Sequence, residues 1–298
     1  MVQIDIVSGF LGAGKTTFSN MLLKRYMDSG LRPVYIVNEF GQTGLDAEII
    51  QADGFQAIEL DGGCICCTLQ YDIATSMKQV MEAFSPTNIV FEPCGIFIFD
   101  NFFDILKQPG LYERCEIANI ITIVDSVNFS FSKTPYGSFI YNQIKNAEAI
   151  LLSKLERGVQ NVEELICDVR GINPDAYITT KVWADWDAQD FELLLDRPKG
   201  PRTEYRAYQH NKFKTLTIPL DQLFTQDKID RFLSACTSGT FGDLCRVKGV
   251  VRTETHSVLL NIAMQDVVQE KFKGMAEPSL TFVGLKLKKR EIIRFLQS

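Results

Sequence analysis

Histidine is nearly missing from this chain of 298 residues, with only His210 and His256 present. Both fall late in the sequence and read as surface residues. A metal site built in the first half must therefore do without the ligand that most often accompanies cysteine at zinc. Long apolar runs are missing as well, since none approaches the ~18 residues that span a bilayer. Neither a charged n-region nor an apolar h-region precedes the first strand, so secretion is not indicated and the chain reads as cytoplasmic. Positive charge is short too, with 31 Lys and Arg against 37 Asp and Glu and a net charge of −6. Such a surface offers no basic field to a phosphate backbone or an anionic membrane, which argues against both as partners. No internal repeat or low-complexity tract occurs. What remains is an ordinary globular composition, 46% hydrophobic, long enough for a large core and for about two domains.

Eight cysteines in a reduced cytosol must pack, react or bind metal. Cys94, Cys115, Cys167, Cys236 and Cys245 are scattered among apolar neighbours and are expected to be small buried hydrophobes. Cys64, Cys66 and Cys67 instead cluster within four residues.

Apolar, β-branched runs at 2–7, 33–37, 57–60, 88–91, 120–124 and 149–152, with a further short one near 176–180, alternate with helical patterns. This alternation predicts an α/β fold with a mostly parallel sheet covered on both faces, and ligand bound outside the carboxyl ends of the strands. The stretch Asp196 to Arg202, DRPKGPR, interrupts the pattern and places a domain boundary there, giving domains 1–195 and 203–298. In the second, strands at 215–220, 244–252, 257–264 and 280–287 and helices at 226–236 and 289–297 predict a small α+β domain with an antiparallel sheet.

The run GFLGAGKTT, Gly9 to Thr17, has the form G-x-x-x-x-G-K-[ST] between a predicted strand and a predicted helix. That context marks a phosphate-binding loop of a P-loop NTPase. Gly12, Ala13 and Gly14 bring backbone amides to a polyphosphate at the positive end of the helix. Lys15 then reaches the β- and γ-phosphates, Thr16 offers its hydroxyl to Mg²⁺, and Thr17 touches the α-phosphate.

Other groups fall on the same predicted rim. Glu39, in Asn38-Glu39-Phe40-Gly41, is a candidate ligand for Mg²⁺ or a transition metal; its plainer reading is an exposed loop carboxylate. Cys64, Cys66 and Cys67 follow Gly62-Gly63 and can turn three thiolates to one point, which suits Zn²⁺, with Cu(I), Co²⁺ or Ni²⁺ as competitors. Glu39 is a candidate fourth ligand, and a buried turn or a redox pair is the alternative. Glu92 and Gly95, in EPCG, close a strand where nucleotide hydrolases carry a carboxylate and a glycine that sense the γ-phosphate; with Lys15 they are the candidate catalytic residues. Asp125 ends one strand, and Ser153-Lys154-Leu155-Glu156 ends the next. There Lys154 can lay its stem along a purine and Glu156 can accept from guanine, a plain helix start being the bland alternative. Trp183 and Trp186 read as packing residues, and the basic run 286–290 as a solvated face.

In order and spacing, GFLGAGKTT, NEFG, GGCICC, EPCG, TIVDS, SKLE and, further on, RVKGVV and TFVGLKL resemble the CobW-type GTPases, relatives of the UreG and HypB metallochaperones. The resemblance implies a Mg²⁺-dependent GTPase that binds a transition metal, often zinc, and delivers it to a client metalloprotein. It assigns phosphate-loop roles to Gly12, Gly14, Lys15, Thr16 and Thr17, metal roles to Cys64, Cys66 and Cys67, and guanine roles to Lys154 and Glu156. It also implies a family C-terminal domain after the boundary. Three departures stand out: Ser153 replaces an asparagine and Glu156 a shorter acid, Cys94 replaces a common threonine, and no histidine-rich storage tract is present. The rival readings are a P-loop kinase or ATP-selective P-loop hydrolase that uses the cysteines structurally, and a nucleotide-dependent adaptor of a corrinoid or other metalloenzyme that transfers no metal. A homo-oligomer is compatible with all three.

Overall fold

The computed structural model describes residues 1–38, 56–59, 70–129, 137–159, 161–197, 214–264, 266–274 and 276–297. The chain divides into two compact units.

The first unit carries strands β1 (Val2–Gly9), β2 (Pro33–Val37), β3 (Gln56–Glu59), β4 (Asn88–Glu92), β5 (Cys115–Asp125), β6 (Ala149–Ser153) and β7 (Tyr177–Thr179). Its helices are α1 (Lys15–Asp28), α2 (Gln70–Phe84), α3 (Phe99–Leu106), α4 (Gly137–Asn146), α5 (Val162–Ile172) and α6 (Ala188–Leu195). The sheet order is β3-β2-β4-β1-β5-β6-β7, and each pairing is parallel. Strands β2, β4 and β6 are buried along their whole length, which is why they read as continuous apolar runs rather than alternating ones. The chain leaves β1 toward β2 and β3 on one side and later continues through β5 on the other. A crevice therefore opens at the carboxyl end of β1, the switch point where ligands bind in such sheets.

Strand β5 begins five residues earlier than the apolar run at 120–124. Its first residues are mixed, with Glu116 exposed and Asn119 buried, and they are held by pairing to Val2–Ile4 rather than by an apolar pattern. The buried Asp5 in β1 is satisfied by Tyr26 OH at 2.7 Å and Asn119 Nδ2 at 2.6 Å. Burial, and then the Asp5 charge, hold the Tyr26 phenol well above its ordinary pKa.

The second unit holds β8 (Lys214–Pro219), α7 (Gln226–Thr237), β9 (Gly242–Arg252), β10 (Ser257–Ala263), β11 (Asp266–Phe272), β12 (Ser279–Leu287) and α8 (Lys289–Gln297). The strands form one antiparallel sheet in the order β11-β10-β9-β12-β8. Phe232, Phe241, Phe282, Ile292 and Leu296 fill its core against α7 and α8. Strand β11 is absent from the sequence expectation because DVVQEKF is a largely exposed edge strand, made by hairpin pairing to β10 instead of by burial. Lys228 is buried in this unit, donating to the Leu296 carbonyl at 3.1 Å with its ammonium 4.9 Å from the Phe224 ring centre.

Cys94, Cys115, Cys236 and Cys245 are buried as expected, but Cys167 is exposed on the outer side of α5 and is a correction to that expectation. The buried face of α5 is taken by Leu165 and Val169, which leaves position 167 turned outward. Burial pushes the Cys115 thiol up to about 11 and the Cys245 thiol up to about 12.

Candidate functional site

The loop from Phe10 to Gly14 joins the carboxyl end of β1 to the first turn of α1, whose unpaired amides make that end receptive to anions. Gly14 sits at φ +101°, and a Cβ there would lie 3.3 Å from the Trp183 ring. The left-handed backbone favours glycine, and any Cβ would press on the ring. Lys15 is buried, its Nζ 3.5 Å from the Phe10 carbonyl oxygen, so the side chain folds back along the loop. Thr17 is exposed beside it.

At the end of β4, the Glu92 carboxylate is buried and gathers hydroxyl donors from two other elements. Thr16 Oγ1 donates to Oε1 at 2.9 Å, while Ser19 Oγ at 2.9 Å and Tyr35 OH at 2.7 Å both donate to Oε2. Parallel pairing of β2 with β4 brings Tyr35 within reach, and the turn spacing of α1 sets Thr16 and Ser19 on one face. Ser19 and Tyr35 were not found by sequence reasoning, and no local pattern marks them. They lie 73 and 57 residues from Glu92 and meet it only through the sheet order.

Gly95 presses on the phosphate loop from the same strand end. A Cβ at this position would stand 2.6 Å from both the Leu11 backbone nitrogen and Leu11 Cδ2, so only glycine allows the two segments to touch. The EPCG segment and the phosphate loop are thus in direct main-chain contact.

On the other side of the loop lies a cavity of about 450 Å³, bounded by Ala13, Gly14 and Thr17, by residues 152–157 and by Val182 to Ala184. That size falls in the range of small-ligand pockets, about 300–1,000 Å³. Lys154 lines it with its backbone in the left-handed region at φ +61°, an arrangement that costs about 1 kcal/mol or more and needs support. Support comes from Asp125, whose Oδ2 is 2.6 Å from Lys154 Nζ. Asp125 is itself fixed by the amides of Val127 and Asn128 and by Asn128 Nδ2. Glu156 stands exposed at the rim. Ser153 is buried and donates its hydroxyl to the Val124 carbonyl at 3.2 Å, tying β6 to β5. Trp183 packs on Phe18 at 5.5 Å between ring centres, as a packing residue should, and also forms part of the cavity wall.

The donor set fits a nucleoside triphosphate with Mg²⁺. A glycine cradle at a helix N-terminus and a buried lysine suit polyphosphate, and a hydroxyl backed by a carboxylate suits a hard cation that keeps its waters. Glu39, Cys64, Cys66 and Cys67 lie outside the described residues. Among the described residues no group of three or more His, Cys, Asp or Glu side chains is placed to hold a metal ion. No helix of the described residues is long and apolar enough to cross a membrane.

Residues 3–180 match the nucleotide-binding domain of the CobW/HypB/UreG family. The zinc chaperone YjiA of Escherichia coli K12 is 24% identical over an alignment 317 positions long, gaps included, that covers 98% of this chain and 96% of YjiA. A zinc chaperone CobW from Sinorhizobium sp is 34% identical over 132 residues, 42% of this chain and 37% of that protein. A zinc-regulated GTPase metalloprotein activator 1 of Dictyostelium discoideum is 24% identical over 216 residues, 59% of this chain and 44% of the relative. The chain thus spans less than half the length of the CobW and Dictyostelium proteins.

Proposed function

The chain belongs to the CobW/HypB/UreG family, and from that premise we propose that it is a cytoplasmic, Mg²⁺-dependent GTPase that carries a transition metal, zinc foremost, to a client metalloprotein. Residues 1–195 form the GTPase domain in this reading and 203–298 a family C-terminal domain. The observation that carries it is the buried Glu92 carboxylate holding Thr16 beside an intact phosphate loop.

Each residue has a role set by its chemistry. The amides of Gly12 to Thr16 and the Lys15 ammonium bind and orient the β- and γ-phosphates. Thr16 would help to hold a Mg²⁺ ion, which would neutralise the charge that develops on the phosphates. Thr16 offers oxygen lone pairs to the metal while its proton is committed to Glu92, so Glu92 serves the metal side of the site by fixing Thr16. Gly95 sits against Leu11, which suits its amide to the terminal phosphate. Lys154, pinned by Asp125, presents its stem to the base. With the Ser153 hydroxyl engaged by Val124, guanine selectivity rests on Glu156.

Cys64, Cys66 and Cys67, with Glu39 as fourth donor, take the metal as cargo. Loss of the γ-phosphate would remove negative charge and free the segments it ordered, so a site formed by those thiolates can open. The test is a zinc titration of the whole chain with a non-hydrolysable GTP analogue and again with GDP. Tighter zinc in the first state is expected, and Cys66→Ser should remove the difference. Equal zinc affinity in both states refutes the coupling, and competition by ATP but not GTP refutes the guanine assignment.

A further inference from the structure

Helix α4 carries three buried amide residues, Asn142, Gln143 and Asn146, and two of them reach the segment after Glu92. Gln143 Nε2 donates to the Gly95 carbonyl at 3.0 Å and lies 3.4 Å from the Phe97 carbonyl oxygen. Next to it, Asn142 Oδ1 accepts the Phe99 amide at 3.2 Å. That amide is the first of α3, whose own N-cap Ile98 has no side-chain oxygen to offer, so the cap comes from another helix. Neighbouring residues of one helix thus hold both ends of segment 95–99. Its phenylalanines are meanwhile buried in an aromatic cluster, with Phe91 and Phe102 stacked at 4.6 Å and Phe97 edge-on to Phe99 at 5.1 Å.

The clamp is tied to the base of the phosphate loop as well. Thr122 Oγ1 donates to the Gln143 carbonyl at 3.0 Å and lies 2.8 Å from Ser8 Oγ. The Ser8 hydroxyl, which also has the Ile121 carbonyl oxygen at 3.4 Å, closes the short contact with Thr122. The chain of bonds runs from Ser8, just before the phosphate loop, through Thr122 and Gln143 to Gly95, which in turn touches Leu11.

We propose that Gln143, aided by Asn142, is a positioning residue that fixes Gly95 against the phosphate loop and ties helices α3 and α4 to the occupancy of the γ-phosphate site. This rests on the reading of Gly95 as the partner of the terminal phosphate. GDP has no γ-phosphate, so the clamp should matter for the triphosphate alone.

The experiment compares wild type with Gln143→Met, which keeps an unbranched side chain of similar size but donates nothing, and with Asn142→Asp and Asn142→Ala. Hydrogen exchange of residues 96–99 without nucleotide reads the clamp itself. Calorimetric titration with a GTP analogue and with GDP, together with kcat and KM, reads its consequence. Gln143→Met is expected to speed exchange, to weaken the analogue and lower kcat by roughly tenfold, the scale of one lost hydrogen bond, and to leave GDP affinity unchanged. Asn142→Asp keeps the acceptor at the start of α3 and should retain slow exchange at Phe99, whatever its buried carboxylate costs in overall stability, where Asn142→Ala does not. Unchanged exchange overturns the clamp whatever the nucleotides do, and equal weakening of analogue and GDP overturns the positioning role in favour of general loosening. Faster exchange in a protein whose wild type binds neither nucleotide overturns the GTPase reading and the positioning role that rests on it.

Discussion

Replacing Glu92 by glutamine separates the structural from the chemical use of its carboxylate. The shape is kept, so no cavity opens, but one oxygen becomes a donor. The amide oxygen can keep Ser19 and Tyr35, which both donate to Oε2, and the new NH₂ then faces Thr16. Bonds to a carboxylate contribute about 1.5–3 kcal/mol each, against about 0.5–1.5 for neutral partners. Three weakened bonds therefore lose about 3 kcal/mol before relief of the buried charge is counted. That relief returns about half, since a buried ion is costly to keep, and the net destabilisation is about 1–2 kcal/mol. For a unit of this size the melting temperature should fall by roughly 2–8 °C.

The functional effect should be larger and of a different kind. In Glu92→Gln the amide donates to Thr16 Oγ1, occupying a lone pair and turning the hydroxyl proton outward to the side that must receive Mg²⁺. The Mg²⁺ concentration for half-maximal GTP hydrolysis should then rise roughly tenfold or more, while GTP binding without Mg²⁺ changes little. A Mg²⁺ titration at saturating GTP measures this, with circular dichroism melting run alongside. An unchanged Mg²⁺ midpoint in a folded variant refutes the role given to Glu92 and Thr16.

Two more expectations follow from the packing. Gly95→Ala puts a methyl 2.6 Å from the Leu11 nitrogen, so the phosphate loop must shift; a cost of about 1–3 kcal/mol and a drop in GTP affinity of roughly tenfold or more are expected, and wild-type affinity by calorimetry contradicts the close contact. Tyr26 has a raised pKa through burial and the Asp5 charge, so its neutral form favours the fold: its contribution is complete below pH ~10, the unfolded value, and falls by about 1.4 kcal/mol per pH unit above it. Tyr26→Phe should be less stable than wild type near pH 8, having lost the donor to Asp5, yet show a shallower decline from pH 10 upward in urea melts. Parallel declines in the two proteins refute the assignment of that slope to Tyr26.

Much of the fold could be read along the chain, because its strands are either buried on both faces or sharply patterned, and such runs announce themselves locally. Strand β11 and the start of β5 escaped, since the first is exposed and the second mixes polar with apolar residues, so that pairing to partner strands and not an apolar pattern marks them. Cys167 was misjudged for a related reason: an apolar neighbourhood in sequence does not say which side of a helix a residue occupies. At the site, the glycines, Lys15, Thr16, Glu92, Gly95 and Lys154 were legible as motifs.

By itself, then, the sequence determined what can be specified within a dozen residues. A glycine-rich loop between strand and helix, carboxylates at strand ends and the alternation of elements all depend on local geometry. Only the tertiary structure decided who meets whom. Sheet order brought Tyr35 and Ser19 to Glu92 across 57 and 73 residues. It also set Trp183 beside Gly14 and Gln143 under Gly95. Buried polar groups must find partners wherever the packed chain presents them, and that pairing is fixed by register and crossover, which no window of residues contains.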